Sequence, residues 1–240
     1  MKKPKITIVI PTYNERKNIG KLIPRVFKVL NEHNIAGNVI VVDDNSPDNT
    51  AQEVKKLQKS YPIKLITRNK KMGLGSAYIV GFKEALKGGT GLTFEMDADL
   101  SHDPNEIPRF VEKIGEGYDV VVGSRLVQGG KVVGWGFWRK LVSLGGNLIG
   151  RGIAGVDISD LTSGYRVYKN EVLKTMNLDD VKSKSYDFQL EMLARAAKGG
   201  YNIGTIPIVF QDRAEGESKL SNKDIISFLL TAIKIRLKMI

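Results

Sequence analysis

The sequence KITIVIPTYNE, residues 5–15, contains a short apolar, β-branched run that is followed directly by polar residues. Four similar runs follow along the chain: NVIVV at 38–42, IKLIT at 63–67, LTFEM at 92–96 and DVVVG at 119–123. Such runs are typical of strands buried on both faces. Between the first two lies an amphipathic segment whose apolar residues, from Ile19 to Leu30, have helical spacing.

Strands that alternate with amphipathic helices indicate an α/β fold with a doubly wound, mainly parallel sheet flanked by helices. Thr50 and Glu53 form a capping-box pattern for a second helix. In such sheets ligands bind beyond the carboxyl ends of the strands. We therefore expect the site among the polar stretches PTYNE, DDNSPDNT and DADLSHDP, each of which follows a predicted strand.

Composition narrows the classes of protein. With 240 residues and 42% hydrophobic content, the chain can bury a substantial core, and we expect one main domain. The absence of cysteine excludes disulfides, zinc-thiolate sites and a cysteine nucleophile, and favours a cytosol-facing location. The N-terminal apolar run is too short for a signal-peptide core. A net charge of +11 favours anionic partners, and nucleic acid, phosphorylated small molecules and anionic membranes all remain open.

The pattern changes after residue 124, where the chain becomes rich in glycine, aromatic and basic residues. We expect a loop-helix region there, then a helix near 188–197 and a strand near 203–210. The predicted organisation is a catalytic domain at 1–222, with halves at about 1–124 and 125–222, and an amphipathic C-terminal helix at 223–240. The uncharged run of that helix is too short to span a bilayer. It suits either a membrane surface or packing on the domain.

Two acidic pairs follow predicted strands. Asp97 and Asp99 form a DxD pattern that suits Mg²⁺ or Mn²⁺ bound together with substrate phosphates, although a DxD alone also occurs in solvated turns. Asp43 and Asp44 could bind a ribose or a base, or could form an Asx-turn before the next helix.

A third polar loop and several basic residues complete the pattern. Tyr13 and Glu15 could stack on a base and bind its edge, and helix capping is the alternative. Basic residues suited to phosphates fall on predicted loops or helix starts, although solvated surface charge is the more frequent explanation for any single one of them: Arg125, Arg139, Lys140, Arg213 and Lys219.

Other enzyme classes lack their signatures. The stretch GLGSAY at 73–78 has Tyr78 where a dinucleotide fingerprint needs its last glycine, and the chain has neither a Walker A sequence nor a GxSxG elbow. Lone histidines such as His33 and His102 are more often ordinary surface or core residues. Dehydrogenase, P-loop ATPase and hydrolase interpretations are therefore poor.

The ordered motifs VIPTYNE, VVDDNSPDNT, MDADLSHDP, GSR, FWRKLVS, DLTSGYRVYKNEVL and DRAEGESKL resemble the dolichyl-phosphate mannose synthases among the family 2 inverting glycosyltransferases. The resemblance runs from about residue 5 to 230, and it implies the glycosyltransferase A-type fold. VIPTYNE and DxD are shared by many family 2 enzymes, whereas MDADLSHDP, DLTSGYR and GESKL point to the polyprenyl-phosphate branch.

The resemblance also implies roles for individual residues. The guanosine would be held by Pro11, Tyr13, Glu15, Val42 and Asp44. The diphosphate and metal would be held by Asp97, Ala98 and Asp99, with Asp99 as the direct metal ligand. Some relatives have glutamine as a further ligand where this chain has Ser101, so that coordination position is doubtful and water would fill it.

The resemblance also assigns the basic residues to the two substrates. Arg213 and Lys219 would clamp the donor phosphates from a C-terminal loop, and Arg125, Arg139 and Ser143 would receive the acceptor phosphate. Asp99, Arg125 and Arg213 are the expected catalytic residues. Relatives of this length associate with small membrane subunits, which implies a peripheral enzyme on the cytoplasmic face of a membrane.

The implied reaction transfers mannose from GDP-mannose to dolichyl or another polyprenyl phosphate with inversion. A phosphate acceptor is already an anion, so it does not need the general base that a hydroxyl acceptor needs. A related transferase that uses a UDP-hexose remains an alternative. A basic nucleic-acid-binding protein is a poor one, because three acidic loops would repel nucleic acid phosphates.

Overall fold

The computed structural model describes residues 4–185, 187–212, 222–237 and 239. The strands within these residues are β1 (Ile6–Thr12), β2 (Gly37–Asp43), β3 (Ile63–Thr67), β4 (Leu92–Glu95), β5 (Val120–Ser124), β6 (Lys131–Val133), β7 (Arg166–Lys169), β8 (Ile203–Pro207) and β9 (Val209–Gln211). The α-helices are α1 (Arg16–Glu32), α2 (Thr50–Leu57), α3 (Leu74–Lys87), α4 (Ile107–Gly115), α5 (Phe137–Ala154), α6 (Asn170–Thr175), α7 (Asp187–Lys198) and α8 (Asn222–Arg236).

Seven strands form the central sheet in the order β3-β2-β1-β4-β7-β5-β8. The pairs among β3, β2, β1 and β4 are parallel, and so is the pair β5 and β8. Strand β7 is antiparallel to both of its neighbours, β4 and β5. This reversed strand joins two parallel halves whose carboxyl ends face the same edge. The predicted α/β fold with a mainly parallel sheet is confirmed.

Helices cover both faces of the sheet because alternate residues of each central strand point to opposite sides. In β1, Ile8 and Ile10 belong to the core cluster that includes Leu22 of α1 and Phe110 of α4. Val9, between them, belongs to the cluster on the other face with Phe82 of α3. The apolar residues predicted for the face of α1, from Ile19 to Leu30, are buried as expected.

A third apolar cluster lies under α5 and α8. Phe228 and Ala232 of α8 are buried there together with Leu161 and with Leu190 of α7. Phe228 also contacts the backbone of α5, because a Cβ atom added at Gly150 would lie 2.8 Å from Cε1 of its ring. The C-terminal helix thus packs on the domain. In the described part of the chain, no helix combines the length and the apolar character needed to cross a bilayer.

Two local predictions are wrong. The segment expected as one strand near 203–210 is two strands, β8 in the main sheet and β9, which pairs with β6 in a separate two-stranded sheet. The capping-box prediction fails because Asn49, in the left-handed region with φ of 67°, is the residue that precedes α2, and it makes no side-chain cap. Thr50 instead accepts a hydrogen bond from the Glu15 backbone N–H at 3.0 Å.

Gly81 lets α3 approach β1, and replacing it should therefore destabilise the fold. A Cβ atom at Gly81 would lie 2.2 Å from Cγ1 of Val9. We expect Gly81→Ala to lower the free energy of unfolding by about 1–3 kcal/mol through overpacking. Gly152→Ala in α5 is the matched control, since nothing lies within 4 Å of a Cβ atom there; removing a helical glycine should be neutral or stabilise by about 0.5–1 kcal/mol. Urea unfolding measures both variants, and equal stabilities would contradict the packing argument.

Candidate functional site

The polar loops after β1, β2 and β4 meet at one edge of the sheet. In register, Pro11 lies opposite Val42. The Asp44 N–H donates to the Thr12 carbonyl at 3.0 Å, and the Met96 N–H donates to the Val9 carbonyl at 3.2 Å. The three stretches that the sequence singled out are therefore neighbours in space, as the topology of a parallel sheet requires.

The two aspartates after β2 have different surroundings. Asp43 is fully buried and accepts hydrogen bonds from Thr12 Oγ1 at 2.9 Å and from Ser46 Oγ at 2.6 Å, so its carboxylate holds the turn. Asp44 forms a buried ion pair with Arg68 and also accepts from the Met72 N–H at 3.1 Å. The predicted role of Asp44 in binding the guanosine thus falls on a carboxylate that Arg68 already orients.

Tyr13 and Glu15 lie half-buried beside this turn. The Lys71 ammonium lies 4.5 Å from the centre of the Tyr13 ring, close enough for a cation–π contact. Glu15 directly precedes α1 but makes no side-chain capping hydrogen bond, and it accepts instead from Asn18 Nδ2 at 2.8 Å. Capping of α1 is therefore not what the Glu15 side chain does in this structure.

The loop after β4 carries Asp97, Ala98 and Asp99. Asp97 accepts from the Tyr78 hydroxyl at 3.0 Å, and its side chain is 28% exposed. The Asp97 N–H donates to Nδ1 of His102 at 3.0 Å. Burial and the nearby Asp97 charge raise the pKa of Tyr78 well above its ordinary value, so its hydroxyl keeps its proton and remains a donor. Asp97 is thus fixed from both its side chain and its backbone.

Asp99 is buried and is held by its own loop. Its Oδ1 accepts from the Ser101 N–H at 3.1 Å and from Ser101 Oγ at 2.5 Å. The turn requires Leu100 to adopt a φ of 68°, a region that non-glycine residues enter at a cost of about 1–3 kcal/mol. The Ser101 hydroxyl, doubtful as a metal ligand from the sequence, is committed here to Asp99.

The loop after β4 offers carboxylate oxygens, which suit a hard divalent cation, but it supplies few of them. Carboxylates such as those of Asp97 and Asp99 are preferred by Mg²⁺ and Mn²⁺. No group of three aspartate, glutamate or histidine side chains is placed to hold a metal among the described residues. A cation at these two carboxylates would therefore need further oxygen ligands from phosphate or water.

A buried polar cluster supports this loop from below. Glu95, two residues before Asp97, is fully buried and accepts from Gln189 Nε2 at 2.7 Å. Burial raises the pKa of Glu95 to about 7, against the opposing positive charge of Arg166. Arg166, also fully buried, donates to three carbonyls: Leu161, Ser163 and Gln189.

Arg125 follows β5 at the same edge of the sheet. Its Nε and Nη2 donate to the two oxygens of Asp160, each at 2.7 Å, and Nη2 also donates to Thr162 Oγ1 at 2.8 Å. The guanidinium carbon lies 5.4 Å from the ring centres of both Trp135 and Phe210. Arg125, predicted as a phosphate ligand, is therefore a well-ordered arginine in a mostly buried setting.

The remaining predicted basic residues are described only in part. Arg139 and Ser143 both belong to α5, and the Ser143 carbonyl accepts from Asn147 Nδ2 at 2.8 Å. The Arg139 side chain, Arg213 and Lys219 lie outside the described residues. Their roles at donor and acceptor remain predictions.

An aromatic contact links the two sides of the site. His102, bonded to the Asp97 backbone, lies edge-on to Phe210 with ring centres 6.1 Å apart, and Phe210 in turn contacts Arg125. A Cβ atom added at Gly164 would lie 3.5 Å from Oδ2 of Asp97, so the loop that carries Asp160 passes beside the acidic loop.

Sequence reasoning assigned no role to Arg68, Tyr78, His102 or Asp160. In the sequence Tyr78 stands out only as a departure from a dinucleotide fingerprint, and its helical spacing to Phe82 is the available signal that it faces the core. A lone histidine such as His102 carries no local signal of a role. The partners of Arg68 and Asp160 are distant in sequence, and no local pattern identifies them.

Comparison with known proteins agrees with the family resemblance of the sequence motifs. The sequence model of the family "Glycosyl transferase family 2" matches residues 7–176. A polyprenol monophosphomannose synthase from Mycolicibacterium smegmatis is 40% identical over 220 residues, which cover 91% of this chain and 82% of that protein. An undecaprenyl-phosphate mannosyltransferase from Micrococcus luteus is 40% identical over 218 residues, 90% of this chain and 88% of that protein.

A longer relative and two solved structures complete the comparison. A dolichol-phosphate mannosyltransferase from Pyrococcus furiosus is 42% identical over 94% of this chain, which spans 62% of that protein's length. Glucosyl-3-phosphoglycerate synthase from Mycobacterium tuberculosis, solved with Mn²⁺, UDP and phosphoglyceric acid, has a TM-score of 0.72 at 17% identity, covering 97% of this chain and 78% of that chain. Its structure with Mg²⁺ and UDP has a TM-score of 0.70 at 19% identity, covering 97% and 79%. At these identities the structures establish a shared fold.

Breaking the ion pair between Arg125 and Asp160 should lower the free energy of unfolding by an amount that depends on pH. Burial alone would raise the pKa of Asp160, but the charge of Arg125 and hydrogen bonds from it, aided by Arg166, lower that pKa below its ordinary value. Arg125→Met leaves the carboxylate buried without its main partner, and we expect a loss of about 3–5 kcal/mol in the free energy of unfolding at pH 7.

That loss should shrink as the pH falls. In the variant, Asp160 has a raised pKa and is protonated at a higher pH than in the wild type, which removes the buried charge. In the wild type, the stabilisation from the ionised Asp160 is lost only as the pH falls below the unfolded pKa of about 3.9. Denaturant unfolding from pH 7 to 4 measures the difference. Lys169→Met is the control, since the Lys169 and Asp119 pair is partly exposed and its loss should cost under about 1 kcal/mol. A deficit for Arg125→Met that is small or independent of pH would contradict this assignment.

Proposed function

The chain belongs to glycosyl transferase family 2, and from that premise we propose that it transfers a mannosyl group from GDP-mannose to dolichyl or another polyprenyl phosphate. The observation that carries the proposal is the set of relatives named as mannosyltransferases of polyprenyl, undecaprenyl or dolichyl phosphate, which are 40–42% identical over 90–94% of the chain. GDP-mannose as the donor comes from the family resemblance of the motifs.

The donor would lie across the carboxyl ends of β1, β2 and β4. Tyr13, Glu15 and Asp44 line the loops where the nucleoside would bind, with Pro11 and Val42 as the strand residues behind them. Asp97, Ala98 and Asp99 would lie at the diphosphate. A divalent cation bound there would offset the charge of the departing diphosphate. Arg213 and Lys219 would add positive charge to the donor phosphates.

The acceptor phosphate would meet Arg125, with Arg139 and Ser143 of α5 as further ligands. Guanidinium N–H groups form strong charge-assisted hydrogen bonds with phosphate oxygens, and Arg125 already has its plane fixed by Asp160, which binds its Nε and Nη2. The phosphate oxygen would attack the anomeric carbon directly and invert its configuration. No side chain need remove a proton from this acceptor, so the protein's main contribution would be alignment of the two substrates and management of charge.

Transfer from labelled donors to a lipid phosphate tests this function. Purified protein should transfer label from GDP-mannose to a polyprenyl phosphate, and the product should carry the anomeric configuration opposite to that of the donor. Efficient transfer from UDP-glucose instead would favour the alternative hexosyltransferase. Salt-dependent binding to random DNA without any sugar transfer would overturn the proposal.

Asp99 and Ser101 should differ in their importance. Asp99→Ala should leave a folded protein without measurable turnover, and chelation of divalent cations should do the same. Ser101→Ala removes one of the two hydrogen bonds to Asp99 but keeps the carboxylate, so we expect a decrease of about tenfold in kcat/KM or in Mn²⁺ affinity. Kinetics and Mn²⁺ titration measure both. Full activity of Asp99→Ala, or an equal loss in both variants, would contradict the assignment.

Helices α5 and α8 support peripheral binding to an anionic membrane. Large apolar side chains are exposed on both, including Leu148 at 71%, Ile226 at 58% and Leu230 at 52%. Exposed basic side chains accompany them: Lys140 on α5 and Lys234 and Arg236 on α8. Apolar burial in the interface and attraction to anionic lipids would act together. This surface would hold the enzyme where a lipid phosphate is available.

Point variants test membrane binding without removing the helix, because Phe228 and Ala232 of α8 belong to the core. Leu148→Glu with Leu230→Glu should abolish sedimentation with liposomes that contain anionic lipid, whereas Leu148→Met with Leu230→Met should retain it. Wild-type binding should weaken as salt increases. Equal sedimentation of the two double variants, or insensitivity to salt, would contradict the membrane surface.

A further inference from the structure

We propose that Asp160 and Asn147 are positioning residues for the acceptor phosphate. They would hold Arg125 and helix α5 in one fixed frame before the substrate arrives. This inference rests on the proposed function, because it concerns the site assigned there to the lipid phosphate.

Asp160 determines the orientation of the Arg125 side chain. Its Oδ2 accepts from the Arg125 backbone N–H at 3.0 Å and from Nε at 2.7 Å, while its Oδ1 accepts from Nη2 at 2.7 Å. One carboxylate therefore binds both the backbone and the Nε edge of the same arginine. The guanidinium plane cannot rotate without breaking these bonds, so an incoming phosphate would meet an oriented guanidinium rather than a mobile side chain.

The loop that carries Asp160 is itself held rigidly. Arg166 donates to the Leu161 carbonyl at 2.9 Å and to the Ser163 carbonyl at 2.7 Å, on either side of Thr162. Ser163 Oγ donates to the Gly123 carbonyl at 2.6 Å. Asp160 is completely buried. The position of Asp160 is therefore set by contacts of its loop with Gly123 of β5 and Arg166 of β7.

Asn147 joins this loop to the helix that carries the other predicted phosphate ligands. Its Oδ1 accepts from the Leu161 N–H at 2.7 Å, and its Nδ2 donates to the Ser143 carbonyl at 2.8 Å. Asn147 is 2% exposed, so both bonds are shielded from water. A single side chain thus connects the residue next to Asp160 with the turn of α5 that contains Ser143.

Together these contacts make one unit from three separate segments of sequence. Arg125 follows β5, Ser143 lies on α5 and Asp160 precedes β7. Preorganisation of this kind matters most where two substrates must be aligned, because small misplacements of a binding group can reduce rate by about 100-fold. We expect the effect to fall on the acceptor, since the hydrogen bonds of Asp160 and Asn147 among the described residues join Arg125, Thr162, Ser143 and Leu161, and none joins the loops after β1, β2 and β4.

The central test compares Asp160→Asn with Asp119→Asn. Asp119 pairs with Lys169 at 2.8 Å, and it precedes β5 at the opposite end of that strand from Arg125. Each variant makes the same chemical change at an ion-paired aspartate. We expect Asp160→Asn to lower kcat/KM for a short prenyl phosphate by about 10- to 100-fold while GDP affinity in the presence of Mn²⁺ is unchanged. Asp119→Asn should change neither quantity, whatever its effect on unfolding temperature.

A double-mutant cycle separates positioning from a general loss of structure. If Asp160 acts through Arg125, adding Asp160→Asn to Arg125→Ala should cause no further loss in kcat/KM for the prenyl phosphate. Multiplicative losses, or an unchanged kcat/KM in folded Asp160→Asn, would overturn the proposal. So would an equal loss of GDP affinity. Asn147→Leu should reproduce the acceptor-specific loss, and an Asn147→Leu enzyme with unaltered kinetics would remove Asn147 from the proposal.

A milder variant covers the case in which Asp160→Asn does not fold. Thr162→Val removes the bond from Arg125 Nη2 at 2.8 Å and the bond that the Thr162 hydroxyl donates to Asp160 Oδ1 at 3.3 Å, while the bonds between Asp160 and Arg125 remain. It should lower kcat/KM for the prenyl phosphate by roughly 3- to 10-fold with GDP affinity retained. No change in either quantity would count against the proposal. Failure of the proposed function itself would be seen earlier and on wild type alone, as absence of transfer to any prenyl phosphate.

Discussion

The site depends on a single constraint, that each carboxylate buried at the edge of the sheet must have donors. An ionised carboxylate without partners in the interior is strongly unfavourable. Asp43 is satisfied by Thr12 and Ser46, Asp44 by Arg68, and Asp160 by Arg125. Because Thr12, Arg68 and Arg125 each come from a different strand end or loop than the carboxylate they bind, satisfying the carboxylates also fixes the loops relative to one another. The arrangement that would bind two anionic substrates is therefore formed by the protein's own ion pairs.

Much of the fold could be predicted from the sequence because it follows from periodicity. The runs at 5–10 and 38–42 are continuous and apolar since both faces of those strands are covered, and α1 buries the apolar face that its spacing indicates. The acidic loops lie at one edge because parallel strands end together. Strand β7 was not predicted. It begins with Arg166, which by composition alone belongs on a surface, yet it is fully buried and bonded to backbone carbonyls.

The candidate site could be predicted only as far as local pattern reaches. Strand ends identified Asp44, Asp97 and Asp99, and the family resemblance supplied Arg125. Their partners could not be found in this way, since Arg68, Tyr78 and Asp160 are 24, 19 and 35 residues from the groups they contact. Contacts at such separations are set by tertiary packing. The contact of Phe210, from the second predicted half, with His102 of the first is another contact that no local pattern indicates.

The reversed direction of β7 gives the two ends of the sheet different tolerance for change. Since β7 runs against β4 and β5, its first residue, Arg166, lies at the edge with the acidic loops, and its last, Lys169, lies opposite Leu92 at the far end. The turn from Lys169 into α6 lies at that far end, away from the candidate site. Evolution or an engineer could lengthen that turn, attach another domain there or open the chain for circular permutation while the chemistry is preserved. The fold thus separates the end that carries the candidate site from an end that is available for new connections.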